Sequence, residues 1–222
     1  GVSLAGASVL DIGSGLGAVD VLLANTYGAA KVTGVDVEPH LIEHSKARAK
    51  AHGCDDRVSF QLIEPGPLPF ADASFDAVFT KDAIVHIPDK DALYRDVRRI
   101  LKPGGVFVGS DWLCGGPETQ TDVAERWLDI VHLDFQLKSL ETTQAAIESA
   151  GFERVRMNDR NDWYRDAVND ELATLSGEKY DGLAERIGAD QAAYRLESSR
   201  LKKEVIDVGF LRPTHFVAYK PS

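Results

Sequence analysis

Two short runs hold the residues best placed to do chemistry. In Val9-Leu10-Asp11-Ile12-Gly13-Ser14-Gly15-Leu16-Gly17, an aspartate stands two residues before the first of three alternate glycines. In Lys81-Asp82-Ala83-Ile84-Val85-His86-Ile87, a carboxylate and an imidazole stand four residues apart. Alternate glycines let the backbone turn sharply and let a ligand lie against bare main chain. The run from Gly13 to Ala18 also fits the dinucleotide fingerprint, with Ala18 in its third place. Asp11 separates the two uses. A carboxylate at this point repels a pyrophosphate and attracts a cation. The ligand that fits is S-adenosylmethionine, with an ammonium, a sulfonium and no phosphate.

Two further acids extend this site. Asp36 comes 23 residues after Gly13, where a carboxylate can accept both ribose hydroxyl protons and can also cap the helix that follows. Glu64 either accepts the adenine amino group or is a solvated loop acid. If the run from Lys81 to Ile87 is a helical turn, Asp82 and His86 share one face. Asp82 would orient an amine, and His86 is the titratable candidate to take its proton. His86 also reads as a half-buried histidine bonded to backbone. His40, His44 and His52 lack the cysteine or carboxylate spacing of a metal site and read as solvated.

The elements that must position these residues alternate. Ser8–Ile12 is a buried strand, followed by a helix from Leu16 to Tyr27 with Val19, Leu22 and Leu23 on one side. Lys31–Val37 is the second strand. Pro39 opens a helix through His52, closed by Gly53. Val58–Glu64 and Phe75–Thr80 are strands three and four. An amphipathic helix over Asp91–Leu101 leads through Lys102-Pro103-Gly104-Gly105 into strand five, Val106–Trp112. Helices follow over Asp122–Phe135 and from Ser139 to Ala150, then a strand over Phe152–Asn158. Two long polar helices, Asp162–Leu175 and Leu183–Asp207, precede the last strand, Thr214–Lys220. This order predicts an α/β fold. It is a doubly wound, mostly parallel seven-stranded sheet in one domain, with core residues about 1–160 and 208–222. A helical insertion, about 161–207, is placed to cap the strand tips before the last strand.

The chain of 222 residues carries a net charge of −10, which argues against nucleic acid or an anionic membrane as partner. Its hydrophobic content of 44% is enough for a real core. Cys54 and Cys114 are too few for a disulfide framework or metal cluster, which suits the cytoplasm. No run reaches membrane-spanning length. The chain opens at Gly1, with the first strand within ten residues, and a further segment before it is expected.

VLDIGSGLG, the acid ending strand two, FDAVFTKDAIVHI and ILKPGGVFVGSD together resemble a class I S-adenosylmethionine-dependent methyltransferase. The insert beginning DWYRDAVNDEL and the ending HFVAYK narrow the resemblance to small-amine N-methyltransferases typified by the phosphoethanolamine enzymes. The resemblance implies cofactor roles for Asp11, Gly13, Gly15, Asp36, Val37 and Lys81, and acceptor roles for Asp82 and His86. It also implies an N-terminal segment that closes over the substrate and supplies a tyrosine to partner the histidine. The chain departs from that pattern at Glu64-Pro65, where an aspartate and an apolar residue are usual. It departs again where the phosphobase enzymes hold phosphate with tyrosines and an arginine. Here the matching stretch, Leu128 to Phe135, has neither, carries Asp129 and Asp134, and Trp112 replaces a tyrosine. Phosphate could be reached only from the tail, by Arg195, Lys202 or Lys203. N-methylation of a small amine is therefore expected. Transfer to oxygen, sulfur or carbon, a nicotinamide-dependent oxidoreductase and a non-catalytic cofactor-binding domain remain as alternatives.

Overall fold

Val9 and Leu10 are both fully buried, yet they belong to different hydrophobic clusters. Successive side chains of a strand point to opposite faces, so both faces of this strand are covered. One cluster joins Val9 to Val21, Leu23, Ile42 and Phe60, under helices α1 (Ala18–Asn25) and α2 (Pro39–Ala51). The other joins Leu10 to Tyr94, Val97, Phe107, Ile147 and Phe152, under α3 (Lys90–Ile100) and α5 (Leu140–Ser149).

The computed structural model describes residues 3–132, 134–177 and 179–222. Gly1, and Leu133 of the helix expected over Asp122–Phe135, lie outside the described residues. The strands are β1 (Ser8–Ile12), β2 (Lys31–Asp36), β3 (Val58–Leu62), β4 (Phe75–Lys81), β5 (Leu101–Cys114), β6 (Glu153–Asp159) and β7 (Leu211–Tyr219). They form one sheet in the order β3-β2-β1-β4-β5-β7-β6. The pairs from β3 through to β5 are parallel. β7 runs against β5: the Lys220 N–H donates to Gly105 O at 2.9 Å, and the Gly115 N–H to Phe210 O at 2.9 Å. The expected doubly wound, mostly parallel sheet of seven strands is therefore present.

The chain divides into two compact units. The first takes Gly1–Asp111, Glu141–Met157 and His215–Ser222. The second takes Trp112–Leu140 and Asn158–Thr214, with α4 (Asp122–Val131), α6 (Asn161–Leu175), α7 (Lys179–Ile187) and α8 (Ala189–Asp207). Its core gathers Trp127, Val168, Leu201, Val205 and Phe210, and Trp112 meets Tyr164 edge to face at 5.0 Å.

Three expected helices are corrected. That expected over Asp122–Phe135 is α4, which ends at Val131 with His132 left-handed at φ 50. α1 starts at Ala18 rather than Leu16, because Gly17 is left-handed at φ 74 and forms its N-cap. Its buried side is Asp20, Val21, Leu23 and Ala24, while Leu22 is 50% exposed. The helix expected over Leu183–Asp207 is two helices, α7 and α8, separated by Gly188 at φ 90. A glycine at positive φ with extended ψ breaks a helix cleanly, and the sequence there offers no proline to announce the break.

Phe107 is fully buried and packs its ring against Tyr94, Phe152 and Phe216. Phe107→Ala should lower unfolding free energy by about 3–5 kcal/mol in urea melts, the usual cost of an emptied aromatic site. A loss below about 1 kcal/mol would show that this cluster is not the centre of the core.

Candidate active site

Parallel strands bring their carboxyl ends to one edge, and the sequence motifs sit there. Beyond β1, the Gly13 and Ser14 N–H groups both donate to Val35 O, at 2.9 and 3.0 Å. That folds the chain back over β2. Gly13, Gly15 and Gly17 have φ of 76, 53 and 74, a region that side chains rarely adopt. Their roles differ. A Cβ on Gly13 would lie 2.3 Å from Ala83 Cβ, so the glycine turn and the turn after β4 are in direct contact. A Cβ on Gly17 would meet Phe60 and Ser45 below 3 Å. A Cβ on Gly15 would meet nothing within 4 Å, and so only Gly15 borders open space.

Asp11 ends up 2% exposed, and its Oδ1 has no hydrogen-bond partner. Burial, with Asp20 and Asp36 nearby, pushes its carboxyl well above the usual range. A buried polar oxygen without a partner beside a glycine cradle suits a ligand that brings a cation. Asp36 accepts from the Gly15 N–H at 2.8 Å and from the Glu38 N–H at 3.0 Å, one bond to each oxygen. This acid therefore stitches the end of β2 to the glycine turn, and each oxygen keeps room for a further donor. Val37 beside it is 48% exposed. Glu64 is exposed, two residues beyond Leu62, the register partner of Asp36. These residues fit the cofactor read from the sequence.

The turn after β4 departs from the expected helical turn. Only Ile84–His86 is helical, as a single 3-10 turn. Asp82 lies before it in a left-handed conformation, at φ 56, so Asp82 and His86 do not share a helical face. Three bonds set Asp82. Its N–H donates to Ser110 O at 2.9 Å, the Ser110 hydroxyl donates to its Oδ1 at 3.0 Å, and the Lys81 ammonium reaches its Oδ2. Lys81 is thus engaged with Asp82, with its amine in solvent. His86 is exposed, not half-buried.

Sequence reasoning missed the residues that fix this turn from behind. Buried Asp111 accepts the Val85 N–H at 3.1 Å. The Lys90 ammonium, also buried, donates to the carbonyls of Ile84 and Ile87. Ser110 and Asp111 lie in the quoted run VFVGSDW, where polar residues closing an apolar strand were the available signal. Asp20 was missed as well.

In the second unit, two of the three tail cations are already matched. Lys202 pairs with Glu171 at 2.8 Å, and Lys203 pairs with Asp207. Lys202 and the Ser199 hydroxyl hold the Glu171 carboxyl below its usual range against the opposing effect of burial. Arg195 is exposed beside Glu171 and Lys202, while Asp129 and Asp134 are exposed on and after α4. Among the described residues no group of three or more histidines, cysteines or acids could hold a metal, and no helix is long and apolar enough to cross a membrane.

A methyltransferase-domain family model matches residues 3–127, more than half of the chain. Phosphoethanolamine N-methyltransferase 1 of Triticum aestivum is 32% identical over 82% of this chain, which spans only 35% of that enzyme. The 27-O-demethylrifamycin SV methyltransferase of Amycolatopsis mediterranei is 31% identical over 89% of this chain and 69% of its own. Among solved structures, Haemonchus contortus phosphoethanolamine N-methyltransferase 2, in complex with phosphomonomethylethanolamine and S-adenosylhomocysteine, superposes with a TM-score of 0.89. It is 25% identical, over 100% of this chain and 51% of that one. The nicotinamide-linked alternative gives way to these matches. The chain belongs to the S-adenosylmethionine-dependent methyltransferases.

Proposed function

We propose that the chain transfers a methyl group from S-adenosylmethionine to a small amine, and that residues 1–222 work as one domain with the helical insertion about 161–207. The observation that carries this reading is the contact of Gly13 with Ala83, which sets the cofactor turn against the turn that bears Asp82 and His86. The cofactor, when bound, supplies a methyl on sulfonium, already activated for in-line displacement.

The chain's own residues then do four things. Asp11 attracts the cofactor's ammonium, Gly15 offers it bare main chain, and Gly13 lets the cofactor turn lie against Ala83. Asp36 accepts from the ribose hydroxyls with Val37 alongside, and Glu64 accepts from the adenine. Asp82, held by Ser110 and balanced by Lys81, orients the acceptor amine. An anionic partner also favours the protonated amine, which cannot attack. His86, exposed at the end of its short turn, takes that proton. Positioning and exclusion of water supply the remainder of the rate.

A non-phosphorylated amine is the preferred acceptor. Asp11, Asp36, Glu64 and Asp82 crowd the carboxyl edge of the first unit and would oppose a phosphate dianion. A second reading, transfer to a hydroxyl of a larger metabolite, is supported by the rifamycin relative, which matches most of both chains. The acidic charge, and Cys54 and Cys114 as buried cysteines outside any disulfide, favour a cytoplasmic setting without nucleic-acid partners.

Gly15→Asn should sharply weaken S-adenosylhomocysteine binding in calorimetry, since asparagine tolerates φ 53 and its side chain enters the open space. Unchanged affinity would remove the glycine turn from the site. In an acceptor panel with labelled cofactor, uncharged or cationic amines should exceed phosphoethanolamine. Preferential labelling of phosphoethanolamine would overturn that preference, and labelling of hydroxyl compounds alone would select the second reading.

His86→Ala should lower kcat by about 10²–10⁴ with cofactor affinity unchanged, and its rate should depend on pH differently from that of wild type. Asp82→Asn should mainly raise KM. Wild-type turnover and an unaltered pH profile in His86→Ala would leave His86 without a role in proton transfer.

A further inference from the structure

Beneath the glycine turn lies a carboxyl that the cofactor reading does not use. Asp20, in the first turn of α1, has no exposed surface. It fits because residue 34 is glycine: a Cβ there would lie 2.6 Å from Asp20 Oδ1 and 2.7 Å from the Phe60 ring. Gly34 is also the β2 register partner of Asp11. The two acids thus converge on one spot of the sheet, close enough for each to act on the other's charge. Among the described residues, no donor reaches Asp11 Oδ1 or either oxygen of Asp20.

The nearby cation is Arg57, which faces Cys54 and is engaged with Ala24 O and Asn25 Oδ1 at the end of α1. Asp36, at the end of β2, is a further negative charge acting on Asp11. Ser45 on α2, which abuts Gly17, turns its hydroxyl to Ile42 O. The buried Cys54 thiol beyond α2 is itself raised, first by burial and in part by Asp20. Two bare carboxylates in such a place repel each other and are poorly solvated, so they share protons. Burial raises both acids, Asp20 to about 7 and Asp11 well above the ordinary range. Asp20 adds to the rise at Asp11, while Asp11 partly offsets the rise at Asp20, so it is the arriving cation that favours ionised Asp11.

We propose that Asp20 is the positioning residue for Asp11: it keeps the proton of the pair when a cation occupies the cofactor site, and donates its hydrogen bond to ionised Asp11. The inference rests on the reading that Asp11 faces the cofactor's ammonium. The proton balance is simple. At low pH the empty pair holds two protons. Arrival of the ammonium expels one to solvent, and the other stays on Asp20. One buried negative charge then meets one positive charge. A lone Asp11 would lack the donor that fixes its orientation.

The test is calorimetry of wild type with S-adenosylhomocysteine, between about pH 5 and pH 9, in buffers of different ionisation enthalpy. Affinity should rise about tenfold per pH unit at the acid end and then level, with close to one proton released per ligand where it rises. Asp20→Asn keeps a donor but cannot hold the second proton. It should bind more tightly than wild type at the acid end, equally at the alkaline end, and release fewer protons. Asp20→Leu should lose affinity throughout, which Asn rescues. Ligand-free melting gives an independent readout. Acids raised on folding stabilise the fold below their unfolded titration and lose that contribution as pH rises through about 7. Wild type should therefore lose melting temperature relative to Asp20→Asn over that span. Binding that is independent of pH, or an unchanged proton count in Asp20→Asn, would overturn the role of Asp20 and leave the cofactor reading intact. No binding at any pH would take down both.

Discussion

The carbonyl oxygen of Val35 accepts from two successive N–H groups, Gly13 and Ser14, and the carboxyl edge of the sheet is arranged around that fold-back. It bends the chain within van der Waals distance of Ala83 and leaves Gly15 over open space. It also brings the Gly15 N–H onto Asp36. The three glycines are thus required for different reasons. Gly13 and Gly17 are glycine because neighbours press on them, and Gly15 because a ligand could. The alternating spacing conceals that division of labour.

Much of this edge was legible in the sequence because it depends on local rules. Strand β1 has the bounds expected, Ser8–Ile12, since a short apolar run before glycines has few other options. The acids at the tips of β1 and β2 followed from spacing and lie on one parallel edge. What was not legible depends on contacts between distant segments. Asp20 reads as a polar residue in an amphipathic helix, and its burial follows from the absent side chain of Gly34. Asp82 reads as the start of a helical turn, and its left-handed backbone follows from Ser110, 28 residues away. Gly188 splits the last helical stretch without a second breaker to mark it. Periodicity detects none of these, because each is decided by what fills a space.

Charge is organised asymmetrically in the first unit. Asp11, Asp36, Glu64 and Asp82 belong to the ends of β1 to β4 or the turns that follow, and Asp20 to the first turn of α1. The cations near them are Lys81 and Lys90, each already engaged, one with Asp82 and one with backbone carbonyls. An edge of this sign holds positive groups and rejects phosphates. That separates a sulfonium nucleoside from a dinucleotide more firmly than the glycine pattern does.

Lys90 has a mechanical consequence. Its buried ammonium ties together the carbonyls of Ile84 and Ile87, while Asp111 holds the N–H of Val85 between them. The short turn that presents His86 is therefore clamped from its inner side. Shifting it would strand a charge and two acceptors away from water, a large penalty for a small movement. Such a turn behaves as an anvil and not as a door. Whatever opens to admit an acceptor, and shuts to keep water out, has to be built from other parts of the chain.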